Sequence, residues 1–151
     1  MKGRDFDWQP LGPASVNARR ELPKLVASYF AAGRQLNRGS PATALHEFRL
    51  RTKHLRYTLE VFMPLYGPGF QSRIDRLRPI QNALGERNDC EVFLSDFKAK
   101  APAAARAFVK KRAAGKHREF LRYWREEFDA DGEERKWTQY LTRYARTRST
   151  R

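Results

Sequence analysis

The sequence predicts an all-α fold, a helical bundle of long antiparallel helices with short connections, and three observations carry that expectation. Apolar residues recur at three- and four-residue spacing, no stretch alternates in the manner of a strand, and Pro and Gly gather where helices would meet. A chain of 151 residues fits one domain. Such a domain buries about 68 to 70% of its unfolded surface, so no metal or disulfide is needed to hold it. Cys90 is the only cysteine, which excludes an internal disulfide and fits a buried thiol in a reducing compartment.

The elements follow in order. Residues 1–14 read as an irregular leader whose Phe6, Trp8 and Leu11 are expected to pack back onto the body. Ser15 is the expected N-cap of a first helix marked by Leu22, Val26, Tyr29, Gly33 and Leu36. That helix is kinked or restarted at Pro23 and stops at Asn37-Arg38-Gly39. Ser40 and Pro41 form a cap and first-turn pair for a second helix of about 23 residues, near 34 Å long, which Pro64 closes. After the turn Tyr66-Gly67-Pro68-Gly69, Ile74, Leu77, Gln81 and Leu84 mark a third helix, bent by Pro79 and ended by Gly85 as its C′ glycine. Asp89 reads as the N-cap of the next helix, with Val92, Phe93 and Phe97 on its apolar side. An Ala-rich basic segment from Pro102 is helical by propensity, with His117, Leu121, Trp124 and Phe128 as its core stripe. A short last helix carries Trp137, Leu141 and Tyr144. Residues 15–145 thus make the helical domain, and 146–151 a basic tail expected to be disordered.

The second helix is the informative one. At about 100° per residue, His46, Arg49, Lys53, Arg56 and Glu60 fall within an arc of roughly 80°. Leu45, Phe48, Thr52, Leu55, Leu59 and Phe62 fill the adjoining arc of roughly 100°, the width of a core-facing stripe. A surface helix normally aims its cations directly away from the core, so a ladder bordering the core predicts a groove that receives a polyanion. Lys111, Arg118, Arg122 and Arg125 form a second basic row within about 60°. Arg73 and Arg76, one turn apart on the third helix, are further candidates for the border of the same groove. The whole chain agrees, since 31 Lys and Arg against 17 Asp and Glu leave a formal charge of +14. That field attracts phosphate-rich partners without choosing among nucleic acid, anionic lipid and polyphosphate.

Catalytic patterns are missing: no G-x-x-x-x-G-K-S/T loop, no H-E-x-x-H, no paired cysteines and no G-x-S-x-G. His46 and His54 stand eight residues apart, about 80° around the helix, and do not converge on a metal. Glu60 reads as an orienter of Arg56 at i, i+4 rather than as an acid. Binding without chemistry, with neither metal nor cofactor, is the economical reading. Polyphosphate suits the ladder, because a flexible chain of charges with no bases to read needs closely spaced cations along a groove, here about 15 Å from His46 to Arg56. Arg offers it forked donors and Lys a mobile point charge. His46 adds a cation conditional on pH, which predicts tighter binding in mildly acid solution.

The run L-H-E-F-R-L-R-T-K-H-L-R-Y-T-L-E-V-F, followed by I-Q-N-A-L-G-E-R-N-D-C-E-V-F-L, resembles the CHAD family, the conserved-histidine α-helical domains that bind inorganic polyphosphate. The family's helix sets a histidine ahead of basic residues three, seven and ten positions on, matched by His46, Arg49, Lys53 and Arg56; position eight, often basic there, is His54. Its second motif is matched by Gln81, Leu84, Gly85 and Asp89, with Arg87 inside it. The resemblance implies a polyphosphate site of His46, Arg49, Lys53, Arg56 and Arg87, joined by Arg118, Arg122, Arg73 and Arg76 if their helices line the groove. Family members resemble two tandem bundles around a basic pore, whereas one copy of the histidine motif occurs here. A half-size version implies an open groove or a homodimer, and the dimer is expected. A leader without a signal peptide's apolar core predicts a cytoplasmic protein with no membrane insertion, associated with polyphosphate granules. The competing readings are a nucleic-acid-binding helical module and an accessory subunit that holds substrate for a phosphoanhydride-processing enzyme.

Overall fold

The computed structural model describes Asp7, Gln9, residues 12–97, residues 100–143 and Ala145. The leader's Phe6, Trp8 and Leu11, Tyr144 and the tail 146–151 lie outside the described residues. The described chain folds as α1 (Ala14–Arg34), α2 (Ala42–Tyr66), α3 (Phe70–Asp75), α4 (Arg78–Asp96), α5 (Ala103–Tyr123) and α6 (Glu133–Arg143), with no strand among them. α5 runs on into a single π-helical turn, Trp124–Phe128.

The apolar stripes decide the packing. α2 buries Leu45, Phe48, Thr52, Leu55 and Leu59 and lies against α1 and α4; α4 packs on α5, and α6 on α1. An aromatic cluster locks α1, α2 and α5 together: Tyr29 stacks on Phe48 at 4.8 Å between centroids, Phe48 meets Trp124 edge-on at 5.5 Å, and Phe30 stacks on Phe128 at 5.0 Å. Such ring pairs add about 0.5 to 1.5 kcal/mol each beyond the area they bury. Thr52, the one polar residue of the α2 stripe, donates to Phe48 O at 2.8 Å and accepts from the Tyr29 hydroxyl at 2.8 Å, so its burial leaves nothing unsatisfied. Burial pushes the Tyr29 hydroxyl's pKa well above its ordinary value.

The π-helical turn has a packing cause. Asp129 N donates to Trp124 O at 2.7 Å, five residues back, and the wider turn keeps Trp124 and Phe128 both buried and stacked at 5.0 Å. Trp124 in turn packs against α1, where a Cβ at Gly33 would overlap its ring. A second anchor joins α2 to α6 through the Tyr66 hydroxyl, which donates to Leu141 O at 2.8 Å.

Several expected boundaries are corrected. Ser15 caps nothing: Pro13 occupies the N-cap position of α1, and Ser15 is buried inside the first turn. α1 runs through Pro23 and ends at Arg34, short of the Asn37 stop. Pro41, not Ser40, sits at the N-cap of α2, and the Ser40 hydroxyl accepts from Asn37 N at 2.9 Å. Pro64 falls inside the last turns of α2, which continues to Tyr66 and stops at Gly67, where φ is +79°. The chain breaks after α3 instead of bending at Pro79, which stands in the first turn of α4, where its missing N–H deprives no carbonyl of a partner. Gly85 therefore does not end a helix and Asp89 does not begin one; both are interior to α4. Local propensity misplaces these boundaries because packing on α2 and α5 carries the helix across a single glycine. In the α5 stripe Leu121, Trp124 and Phe128 are buried, but His117 is only half-buried.

Candidate functional site

The ladder lies along the seam between α2 and α4, which run antiparallel. On α2, His46, Arg49, Lys53 and Arg56 flank the buried stripe on the side that meets α4. On α4, Gln81, Gly85 and Asn88 answer at four- and three-residue spacing, one helical face. His46 Nδ1 and Asn88 Oδ1 stand 3.0 Å apart, and Arg56 Nη1 donates to Gln81 Oε1 at 2.9 Å. Between these two ties, a Cβ on Gly85 would stand 3.7 Å from Arg49 Nε. That is ordinary contact distance, so the Arg49 guanidinium lies alongside α4 at this position.

The chemistry of these partners matters as much as their positions. Gln81 and Asn88 accept with amide oxygens and bring no negative charge, so they fix the direction of a cation without neutralising it. Among the described residues only Glu60 pairs with the ladder ionically, at 3.2 Å from Arg56 Nε, and it is partly exposed. The Arg56 guanidinium also rests 5.3 Å from the Tyr57 ring centre. The middle rungs differ from the ends. Arg49 Nε, like Arg56 Nε, is buried with no hydrogen-bond partner, but Arg49 and Lys53, unlike Arg56, make no other hydrogen bond or ion pair among the described residues. An arginine Nε–H removed from water without an acceptor lacks about 1 to 3 kcal/mol of compensation, which an anion's oxygen would supply.

The other sequence candidates are distributed elsewhere. Arg87 lies on α4 towards α5: it pairs with Glu91 at 3.2 Å and stands close enough to His117 to disfavour that ring's protonation. Arg118 and Arg122 line a hollow of about 320 Å³ together with Arg38, Leu121, Arg125 and Glu126, and no ladder residue belongs to it. Arg73 and Arg76 line a third hollow, against α6, with Glu133, Lys136 and Tyr140. There Arg73 lies 4.9 Å from the Tyr140 ring centre, and burial draws its pKa down. Arg76 donates to Glu127 O at 2.9 Å and pairs with Glu133 at 3.4 Å. The single groove expected between the two basic rows is thus replaced by three separate basic surfaces.

Two polar residues of these surfaces escaped the sequence reading. Asn88 was hidden because Gly85 looked like a helix end, although its i, i+7 relation to Gln81 placed both on one face. Arg38 lies in a connection and carries no periodic signal. Among the described residues no group of His, Cys, Asp and Glu is arranged to hold a metal ion, and no helix is long and apolar enough to cross a membrane. In comparison with known proteins, the family model described as CHAD domain matches residues 5–97, a segment that contains α1 to α4 and hence both walls of the seam. No curated protein and no solved structure matches the chain.

Proposed function

We propose that this chain, which belongs to the CHAD family, binds inorganic polyphosphate without chemically altering it, along the seam between α2 and α4. The family is linked to phosphate-related binding in general. What favours a linear chain of phosphates is the alternation along the seam. Two ladder residues are tied to neutral amides of α4, while Arg49 between them keeps a buried Nε–H without an acceptor. Successive phosphates of one chain offer oxygens at close intervals along such a row, and they require no base-reading side chain between the cations. Duplex DNA would instead be read by Asn or Gln on an exposed helix. Here Gln81 faces Arg56, and Asn88 faces His46.

In this reading the module holds polyphosphate in the cytoplasm, at granules or for a partner enzyme. A second copy of the chain supplies the opposite wall that a single histidine motif lacks. The testing experiment replaces Arg49, Lys53 and Arg56 together by alanine and measures affinity for long-chain polyphosphate and for duplex DNA at matched charge and salt. Three charge-assisted contacts of roughly 1 kcal/mol each predict a loss of about 100-fold for polyphosphate with helicity unchanged. Unchanged polyphosphate affinity, or equal affinity of the unaltered protein for DNA, would refute the reading. Incubation with polyphosphate and magnesium should release no orthophosphate.

A further inference from the structure

The hollow at Arg118 holds a different arrangement of charge from the seam. Arg38 comes from the connection between α1 and α2, whereas Arg118, Arg122 and Arg125 project from one face of α5 and its π-helical turn. The two segments are tied together beside the hollow, where His117 Nε2 lies 3.0 Å from Asn37 O. A carbonyl only accepts, so that ring nitrogen carries the proton and donates. This bond holds the connection against α5 and places Arg38 across from the α5 row.

Among the described residues these four guanidinium groups meet a single carboxylate, that of Glu126. Arg38, Arg118 and Arg125 make no hydrogen bond or ion pair among the described residues, and Arg122 has only Glu126, 3.8 Å away and well exposed. By contrast Arg34, Arg56, Arg76, Arg78 and Arg87 each have a carboxylate within 3.4 Å. Buried Leu121 lines the same hollow and gives it an apolar wall. Like charges gathered at one concavity repel, and the arrangement is relieved by a ligand that brings several negative charges into a small space. Forked guanidinium donors match phosphate oxygens in pairs.

We propose that Arg38, Arg118, Arg122 and Arg125 form a second anion site, separate from the seam, which takes a compact oligophosphate of a few linked phosphate groups. The shared chemistry is the short run of phosphoanhydride-linked oxygens, whether it is a free oligophosphate or the end of a longer chain. The site stands on its own geometry and does not require the seam to bind polyphosphate.

The test titrates the full chain calorimetrically with inorganic tripolyphosphate, using three variants whose fold is checked by helicity. R38A/R125A removes two arginines that have no partner among the described residues, so the fold should be retained, and should weaken tripolyphosphate binding about tenfold or more. R49A/K53A/R56A should leave that binding within about twofold. K24A/K110A removes the same charge from other surfaces, where Lys24 pairs with Glu21 at 3.7 Å, and should also change it little. Tripolyphosphate affinity unchanged in R38A/R125A would overturn the proposal. So would a loss in K24A/K110A as large as in R38A/R125A, which would mean a diffuse field, or a loss confined to the seam variant. Titration of the same variants with long-chain polyphosphate separates the two sources: if the hollow takes chain ends, R38A/R125A also lowers long-chain affinity and the stoichiometry scales with the number of chains, whereas if it takes free oligophosphate, R38A/R125A loses tripolyphosphate and keeps long-chain binding. If the seam variant keeps its long-chain affinity while R38A/R125A loses tripolyphosphate, the seam reading fails and this site stands.

Discussion

Two regions of this molecule use arginine in opposite ways. Where α1 meets the turn before α6, Arg34 clasps Asp129 through Nε and Nη2 at 2.9 and 2.7 Å and reaches Glu134 at 3.2 Å. Asp129, the first of its partners, raises the guanidinium's pKa through that hydrogen bond. Along the seam between α2 and α4, arginines of the same intrinsic chemistry meet amides, a glycine and buried space, with Glu60 as the one carboxylate among the described residues. The first arrangement closes a charge account within the fold, whereas the second positions charge and leaves it available. Net charge does not distinguish the two, and neither does burial; the identity of the facing side chain does.

A seam that served as a structural clasp would behave on mutation as Arg34 does. The largest expected effect is the loss of about 100-fold in polyphosphate affinity for R49A/K53A/R56A, which Arg34→Ala should not reproduce beyond about twofold in the same titration. The triple variant should also flatten the dependence of log affinity on log salt by about 2 units, since each contact with a single-stranded polyanion contributes about 0.7. Next in size is Gly33→Ala. Its Cβ would overlap the Trp124 ring, so chemical denaturation should show destabilisation of about 2 to 3 kcal/mol without a change in ligand affinity per folded molecule. Arg34→Ala should lower stability by only about 1 kcal/mol, because the clasp is partly exposed at 43% for the Arg34 side chain.

Gly85→Ala sharpens the comparison from the other side. The position is interior to α4 and the new Cβ meets Arg49 Nε at ordinary contact distance, 3.7 Å, so helix propensity should raise stability by up to about 1 kcal/mol. Urea melts should show that gain with polyphosphate binding little changed, since Arg49 can keep its place. The smallest effect concerns His117, whose pKa burial lowers, aided by Arg87 and opposed by the hydrogen bond to Asn37 O. With the folded value below the unfolded one, the unfolded chain binds the proton first. Stability is therefore fullest above the ordinary histidine value near 6.5 and declines as pH falls from there towards the folded value. Denaturation midpoints between about pH 7.5 and pH 5.5 should fall more for the unaltered chain than for His117→Gln.

The all-α fold was legible because apolar periodicity reports burial directly, and Leu45, Phe48, Thr52, Leu55 and Leu59 occupy the face their spacing predicts. The ladder beside that stripe was legible for the same reason, since position on one helix is geometry within one element. Contacts between elements were not. Gly85 and Asp89 resemble a stop and a cap when read locally, and only the packing of α4 shows that Gln81, Gly85 and Asn88 form one wall. Pro79 likewise reads as a bend until the chain break at Arg76 and Leu77 puts it in a first turn. Arg118 and Arg122 line one hollow and Arg73 and Arg76 another, a grouping that depends on topology that no spacing encodes.

The most direct test follows the arginine Nε–H signals by nuclear magnetic resonance during titration with long-chain polyphosphate. The signals of Arg49 and Arg56 should shift and saturate together, while that of Arg34 stays in place. Shifts of similar size at Arg34 and at the seam, or a shift that spares Arg49, would contradict the seam reading.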